Sequence, residues 1–288
     1  MDPVKRSLVS LHLTVVLLGG TALFSQIISL PATDITLGRS IFAFVVLTLL
    51  VYSKRGSLVL TNIRDYVMAC FLGALMAVHW VTYFAAMQYA GVSVGIIALF
   101  TFPVITVFME PFIEKGTIHW QDILSALVVL LGIALIVPAP DLSNDITMGV
   151  LVGVFSAFLY SLRNLIHRKH FSQYSGAKAM AWQTAVICIL LLPFGFNGLR
   201  VADIDDWLWL LLLGTVFTAL PHALIAQSLK HLRAKTFSLV ASMQPIYGVA
   251  LSIIILNESP NWQTLLGGIL VTSASIYETV VTHKSSKV

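Results

Sequence analysis

The sequence predicts an all-α membrane protein with ten transmembrane helices, arranged as two inverted five-helix repeats. Three observations lead to this prediction. First, 58% of the 288 residues are hydrophobic and only 10% are charged, whereas about 25% of the residues of a soluble domain are charged. Second, ten apolar runs follow one another along the chain. Third, the second half of the chain repeats features of the first half. With a mean hydropathy of +0.90, most of the surface must face lipid.

Each apolar run is long enough to cross a bilayer, which requires about 20 residues. The breaks between the runs are short and contain proline, glycine or charged residues, so no second domain fits between them. No small-residue cleavage site follows the first run, which we therefore expect to be retained as a helix. The predicted spans are 8–28, 34–53, 65–88, 93–113, 119–138, 147–168, 177–196, 206–229, 234–256 and 261–281.

The basic residues collect in alternate breaks, which is the pattern of membrane topology rather than of a nucleic-acid-binding face. With both termini in the cytoplasm, the outer breaks hold only one basic residue, Arg200, among seven acidic ones. We therefore expect a multi-pass plasma membrane protein (bacterial inner membrane) with both termini inside. The residues assigned to the cytoplasmic side are Lys5, Arg6, Lys54, Arg55, Arg64, Lys115, Arg163, Arg168, Lys169, Lys178, Lys230, Arg233, Lys235, Lys284 and Lys287.

An internal repeat appears when the sequence is shifted by 142 positions. This shift places Pro103 on Pro245 and the Trp120-Gln121 pair on Trp262-Gln263. The predicted repeats are residues 1–140 and 141–288, each with five spans. Because five is odd, the two repeats must cross the membrane in opposite directions. Inverted repeats are typical of secondary transporters, which bind substrate near the midplane where the halves meet.

These features resemble the EamA family of the drug/metabolite transporter superfamily. In each EamA repeat, a short turn follows the third helix, the fourth helix contains a proline and ends near a glutamate, and the fifth opens with tryptophan or glutamine. Val94–Pro103, Glu114 and Trp120 match this pattern in the first half, and Thr236–Pro245 and Glu258 match it in the second. The resemblance covers almost the whole chain. It implies a solute carrier, and most such members export amino acids or other small metabolites.

The polar and helix-breaking residues inside the spans are the candidates for substrate binding. Proline frees backbone groups, which at membrane depth are tolerated where they meet protein, water or ligand. Histidine, arginine, glutamine and tyrosine side chains supply hydrogen bonds, and aromatic residues supply a lining. The candidates are Arg39, His79, Trp80, Tyr83, Thr101, Phe102, Pro103, His222, Gln244, Pro245 and Tyr247.

Each candidate also has a structural interpretation. Pro103 and Pro245 could be packing kinks, and His79 and His222 could each be satisfied by a neighbouring helix. The Arg39 side chain could attract an anionic solute or could extend outward to the membrane surface.

The sequence therefore predicts a transporter of a small-molecule substrate that works by alternating access, with export of amino acids or similar metabolites as the first hypothesis. Uptake, facilitated transport of another metabolite and a nucleotide-sugar-like substrate are the alternative carrier roles. An intramembrane enzyme is disfavoured because no nucleophile and base converge within the spans. No cofactor, metal or nucleic-acid partner is predicted. The pattern does not select a coupling ion or an oligomeric state.

Overall fold

The computed structural model describes residues 3–113, 117–137, 141–221, 224 and 240–285. This part of the chain is helical and contains no strand, so the all-α prediction is confirmed. The first half comprises α1 (Pro3–Gly20), a 3-10 turn (Thr21–Leu23), α2 (Phe24–Ile27), α3 (Ala32–Ser53), α4 (Ile63–Ala90), α5 (Val92–Leu99), α6 (Phe102–Ile113) and α7 (Trp120–Ile136). The second half comprises α8 (Asp145–His170), α9 (Gly176–Val201), α10 (Ile204–Gly214), a π-helical turn (Thr215–Ala219), α11 (Gln244–Leu256) and α12 (Trp262–Ser285).

Six segments of the described chain are long and apolar enough to cross a membrane. They are Val9–Ile27, Ala32–Ser53, Ile63–Ala90, Val92–Ile113, Asp145–His170 and Gly176–Val201. Each falls at one of the predicted spans. The apolar helices α7 and α11 are shorter than a full span.

The fourth predicted span is two helices rather than one kinked helix. α5 ends at Leu99 and α6 begins at Phe102, so Pro103 lies in the first turn of α6. The ninth span is interrupted in the same way, because α11 begins at Gln244 with Pro245 in its first turn. The interpretation of Pro103 and Pro245 as packing kinks within a continuous helix is therefore wrong. Proline is tolerated in a first turn because the N–H it lacks would have no helical partner there.

Hydroxyl groups from the second half satisfy backbone carbonyl groups at the first of these breaks. Ser275 on α12 donates a hydrogen bond to the Phe100 carbonyl oxygen (2.7 Å). Ser161 on α8 donates to the Phe102 carbonyl oxygen (2.9 Å). Carbonyl groups that lack a partner at membrane depth cost several kcal/mol each, so these hydroxyl groups stabilise the break.

A tight turn joins α4 to α5. Gly91 ends α4 with a φ of 86°, in the region of backbone conformation that favours glycine. A Cβ atom at this position would lie 2.5 Å from the Glu258 carboxylate. Glu258, which lies between α11 and α12, accepts hydrogen bonds from the Ser93 N–H and hydroxyl groups. The turn in the first half is thus fastened to a loop of the second half.

Corresponding helices of the two halves pack against each other. α3 packs on α9 and α7 on α12, while α5, the first part of the fourth span, packs on α11, the second part of the ninth. α7 and α12 approach most closely at two glycines, because a Cβ atom on Gly132 would lie 2.9 Å from the Gly267 carbonyl oxygen. Small residues permit such contacts between membrane helices. Much of the core therefore lies between the two halves.

Candidate substrate-binding cavity

A cavity of about 360 Å³ lies where the two halves meet. Ligand sites in proteins have volumes of roughly 300–1,000 Å³, so this cavity is suited to a small solute. Its walls combine aromatic rings with a few polar side chains. The first half contributes Thr21, Arg39, His79, Trp80, Tyr83, Phe102 and Pro103, and the second half contributes Tyr160, Arg163, Ser242 and Gln244.

Most of the residues singled out in the sequence lie at this one cavity. They come from four separate helices, so the fold brings together positions that lie up to about 200 residues apart in the chain. The candidates that line the cavity are Arg39, His79, Trp80, Tyr83, Phe102, Pro103 and Gln244. His222 lies outside the described residues.

Three candidates have other surroundings and are not among the cavity-lining residues. The Thr101 hydroxyl group donates to the Ala98 carbonyl oxygen (2.8 Å) and so closes the last turn of α5. Pro245 is buried in the first turn of α11. The Tyr247 hydroxyl group is hydrogen-bonded to Nδ1 of His12 on α1 (3.0 Å). Sequence spacing alone did not separate these three residues from the cavity-lining residues Phe102, Pro103 and Gln244, because all six lie near the helix breaks.

His79 is held in one orientation by α8. Its Nδ1 atom lies 2.8 Å from the Ser156 hydroxyl oxygen and 3.1 Å from the Ser156 carbonyl oxygen. The Ser156 hydroxyl group in turn donates to the His79 carbonyl oxygen (2.9 Å). Because a carbonyl oxygen only accepts, Nδ1 carries a hydrogen, and Nε2 of the neutral ring is then an acceptor. None of the described hydrogen bonds engages Nε2.

Two tyrosine rings flank the imidazole of His79. The Tyr160 ring stacks on it at a centroid distance of 4.8 Å, and the Tyr83 ring lies at 6.2 Å. Tyr160 also contacts Phe102 edge-to-face at 4.9 Å. The sequence analysis missed Tyr160. Tyr160 lies three residues before Arg163 on α8, and residues at this spacing share a helix face. This spacing was the sequence signal that could have identified Tyr160 as a neighbour of Arg163.

Arg39 does not extend to the membrane surface. Its side chain is only 3% exposed, and its guanidinium carbon lies 3.9 Å from the centroid of the Trp80 ring and 5.3 Å from that of Phe84. This is the geometry of a cation–π interaction. Its Nε and Nη1 atoms are buried without a hydrogen-bond partner among the described residues.

Arg163 is a second arginine at the cavity, and its position corrects a sequence-based expectation. It was counted among the charges of a polar break, yet it lies inside α8, which continues to His170. Its guanidinium group donates to Gln183 (2.9 Å) and Asn164 (2.9 Å) and contacts the Met180 sulfur (3.4 Å). Arg163 lies five residues before the end of the predicted span 147–168, and this position was the sequence signal that could have placed it inside the helix.

Comparison with known proteins gives the same architecture. A solved crystal structure with 14% sequence identity superposes with a TM-score of 0.65, over 95% of this chain and 97% of that one. This likeness shows the fold alone.

Two bacterial relatives in sequence are named as transporters. The uncharacterized transporter YxxF of Bacillus subtilis (strain 168) is 23% identical over 92% of this chain and 86% of its own length. An uncharacterized transporter of Clostridium kluyveri is 27% identical over 66% of this chain and 64% of its own length.

The family comparison covers both halves of the chain. The model of the EamA-like transporter family matches residues 6–137 and, a second time, residues 147–277. The two matches coincide with the two groups of helices whose corresponding members pack together. The resemblance seen in the sequence is confirmed, and the chain belongs to the EamA-like transporter family.

Proposed function

We propose that the protein is a secondary transporter of the bacterial inner membrane that exports amino acids or similar small metabolites by alternating access. In this proposal the chain crosses the membrane ten times as two inverted repeats, residues 1–140 and 141–288, with both termini in the cytoplasm. The observation that carries the proposal is the cavity of about 360 Å³ whose walls come from both halves. A cavity at the interface of two repeats opens to one side when one half rocks against the other.

The helix breaks support this mechanism. α6 and α11 both begin at the cavity, at Phe102 and Gln244, which are 142 positions apart. Discontinuous helices of this kind place backbone groups at the substrate sites of transporters. A break also permits the two parts of a span to move separately, because none of the described backbone hydrogen bonds joins α5 to α6.

The polar groups of the cavity fit a small metabolite with both donor and acceptor groups. Nε2 of His79 is an acceptor without a described partner, and a cargo amino or hydroxyl group can donate to it. Phe102 and Tyr160 provide an apolar surface beside it. A few polar groups in an otherwise apolar pocket fix the orientation of a ligand.

Contacts at opposite ends of the bundle are suited to act as gates. Ser93, in the first turn of α5, and Glu258, in the loop after α11, lie on the side assigned as outer by the charge pattern, and their hydrogen bonds join the two halves. Glu110 on α6 and Arg168 on α8 belong to the cytoplasmic side, where they form an ion pair (2.5 Å). Alternating access requires that the contacts at one end break while those at the other hold.

Membrane vesicles of defined orientation test the proposal. Inside-out vesicles from cells that produce the protein should accumulate labelled L-amino acids faster than vesicles without it. The variant His79→Ala should reduce this accumulation. The variant His170→Ala, which changes an exposed histidine at the end of α8, should leave it unchanged.

Two results would contradict the proposal. Equal accumulation in vesicles with and without the protein would refute the substrate class. Faster accumulation by right-side-out than by inside-out vesicles would instead favour uptake.

A further inference from the structure

We propose that Arg39 is the carboxylate-binding residue of the cavity and that cargo must therefore carry a free carboxylate group. The inference rests on the proposed function, because it takes the cavity to be the transport site. It adds the chemical group by which that site recognises its substrate.

The first argument is that the Arg39 guanidinium group has no hydrogen-bond or ion-pair partner among the described residues. Arginine remains charged under all ordinary conditions and has five N–H donors. Arg39 is 3% exposed, and no described hydrogen bond or ion pair engages its guanidinium group. A buried charge is normally paired, because an unpaired one costs several kcal/mol. An anionic ligand that enters the cavity would supply the missing partner.

The second argument is geometric. Trp80 and Phe84 contact the guanidinium group of Arg39 from rings centred 3.9 and 5.3 Å away. Cation–π contacts of this kind hold the guanidinium group beside the aromatic rings without using its N–H donors. Those N–H groups form the fork that binds both oxygen atoms of a carboxylate. The two rings therefore hold Arg39 at the cavity wall before a ligand arrives.

The third argument concerns charge. No aspartate or glutamate is among the described residues that line the cavity. Arg163 also lines it, but its guanidinium group is engaged by Gln183 and Asn164. Among the cavity residues that the structure describes, the guanidinium group of Arg39 thus remains for the ligand. One guanidinium group suits the single negative charge of a carboxylate better than the two charges of a phosphate monoester.

The helix breaks reinforce this preference. Phe102 and Gln244 are the first residues of α6 and α11, and both line the cavity with Arg39. The N-terminal end of a helix carries a partial positive charge and favours anionic groups. The N-terminal ends of α6 and α11 and the guanidinium group of Arg39 therefore all favour an anionic ligand.

The test compares acids with their amides in proteoliposomes. Counterflow of labelled L-amino acids is measured while unlabelled amino acids, or the corresponding amino-acid amides, compete. The amides keep the side chain and the ammonium group but lose the carboxylate charge. Hydrogen bonds to charged groups contribute about 1.5–3 kcal/mol, so each amide should compete roughly tenfold to a hundredfold more weakly than its acid.

Variants assign this discrimination to Arg39. In Arg39→Gln the ratio between amide and acid should fall towards one. Arg39→Lys keeps the charge but not the fork, so part of the ratio should remain. The control Arg200→Gln removes the same charge from an exposed position at the end of α9 and should keep the wild-type ratio.

The outcomes separate the two proposals. Amino-acid counterflow that amides inhibit as well as acids would overturn the carboxylate inference and leave the proposed function standing. The same holds if Arg39→Gln keeps the full discrimination. If wild-type protein moves no amino acid, the proposed function fails and the inference with it. In that case Arg39-dependent transport of glucose 6-phosphate, tested in parallel, would identify a phosphate as the ligand group.

Discussion

The Glu258 carboxylate accepts hydrogen bonds from both the backbone N–H and the hydroxyl group of Ser93. The hydroxyl contact is 2.9 Å and the N–H contacts are 3.1 and 3.2 Å. The Ser93 hydroxyl oxygen also lies 3.1 Å from that of Ser252 on α11. The start of α5 is thereby tied to both the end of α11 and the loop that follows it, and this connects the two halves of the chain.

We expect Glu258→Gln to weaken this contact, since the neutral amide loses the charge-assisted hydrogen bonds. In the proposed topology, this favours the state that is open to the outside. A cysteine introduced at Met76, which lines the cavity, should then react roughly tenfold faster with a membrane-impermeant thiol reagent added outside. The measurement uses a background in which Cys70 and Cys188 are replaced by alanine.

The matched control is Glu110→Gln, which removes the ion pair with Arg168. This change acts at the opposite end of the bundle and should slow the reaction from outside. Equal rates in both variants would refute the assignment of these two contacts to opposite gates.

Replacing Ser156 with alanine should weaken transport through its effect on His79. The change removes the hydroxyl acceptor at 2.8 Å but leaves the carbonyl acceptor at 3.1 Å, so the imidazole is less firmly oriented. We expect KM for the cargo to rise by about tenfold at most, with a smaller effect than that of His79→Ala. If Ser156→Ala reduces transport more than His79→Ala does, Ser156 has a role other than positioning the imidazole.

The apo protein should not be destabilised by the variant Arg39→Met. Methionine retains an unbranched apolar side chain, while the uncompensated buried charge disappears. The expected result is a melting temperature in detergent equal to or above that of the wild type, together with loss of ligand-induced stabilisation. A melting temperature that falls by several degrees would instead indicate that Arg39 has a mainly structural role.

The variant Gly132→Val should destabilise the contact between α7 and α12. Even a Cβ atom at this position would lie 2.9 Å from the Gly267 carbonyl oxygen, so the helices must separate. Overpacking of this kind typically costs about 1–3 kcal/mol. The loss should appear as a lower melting temperature. Gly176→Ala is the control, since a Cβ atom there meets nothing within 4 Å, and it should melt like the wild type.

Much of the fold was accessible from the sequence because lipid imposes a simple pattern. Apolar runs of about 20 residues must be helices, since backbone groups have no other partners in hydrocarbon. The shift of 142 positions that places Pro103 on Pro245 also predicted that the two prolines occupy equivalent positions in the two halves. In the structure both prolines lie in the first turn of a half-helix that begins at the cavity.

The details of the cavity were less accessible. Whether a proline kinks a helix or begins a new one depends on outside groups, here the hydroxyl groups of Ser161 and Ser275. Arg163 was assigned to a polar break because a charge near the end of a span ordinarily reaches water. Its actual partners, Gln183 and Asn164, include a residue on another helix that periodicity within α8 cannot identify.

The guanidinium group of Arg39, which has no hydrogen-bond partner in the part of the chain that the structure describes, has a consequence for the rate of the transport cycle. If cargo neutralises this charge, the carrier changes its orientation most easily when it is loaded. The empty carrier must return with an uncompensated cation at membrane depth, where charge is costly. Exchange of one cargo molecule for another should then outpace net efflux. Such a carrier responds to the solute on the far side of the membrane as well as to the one that it carries.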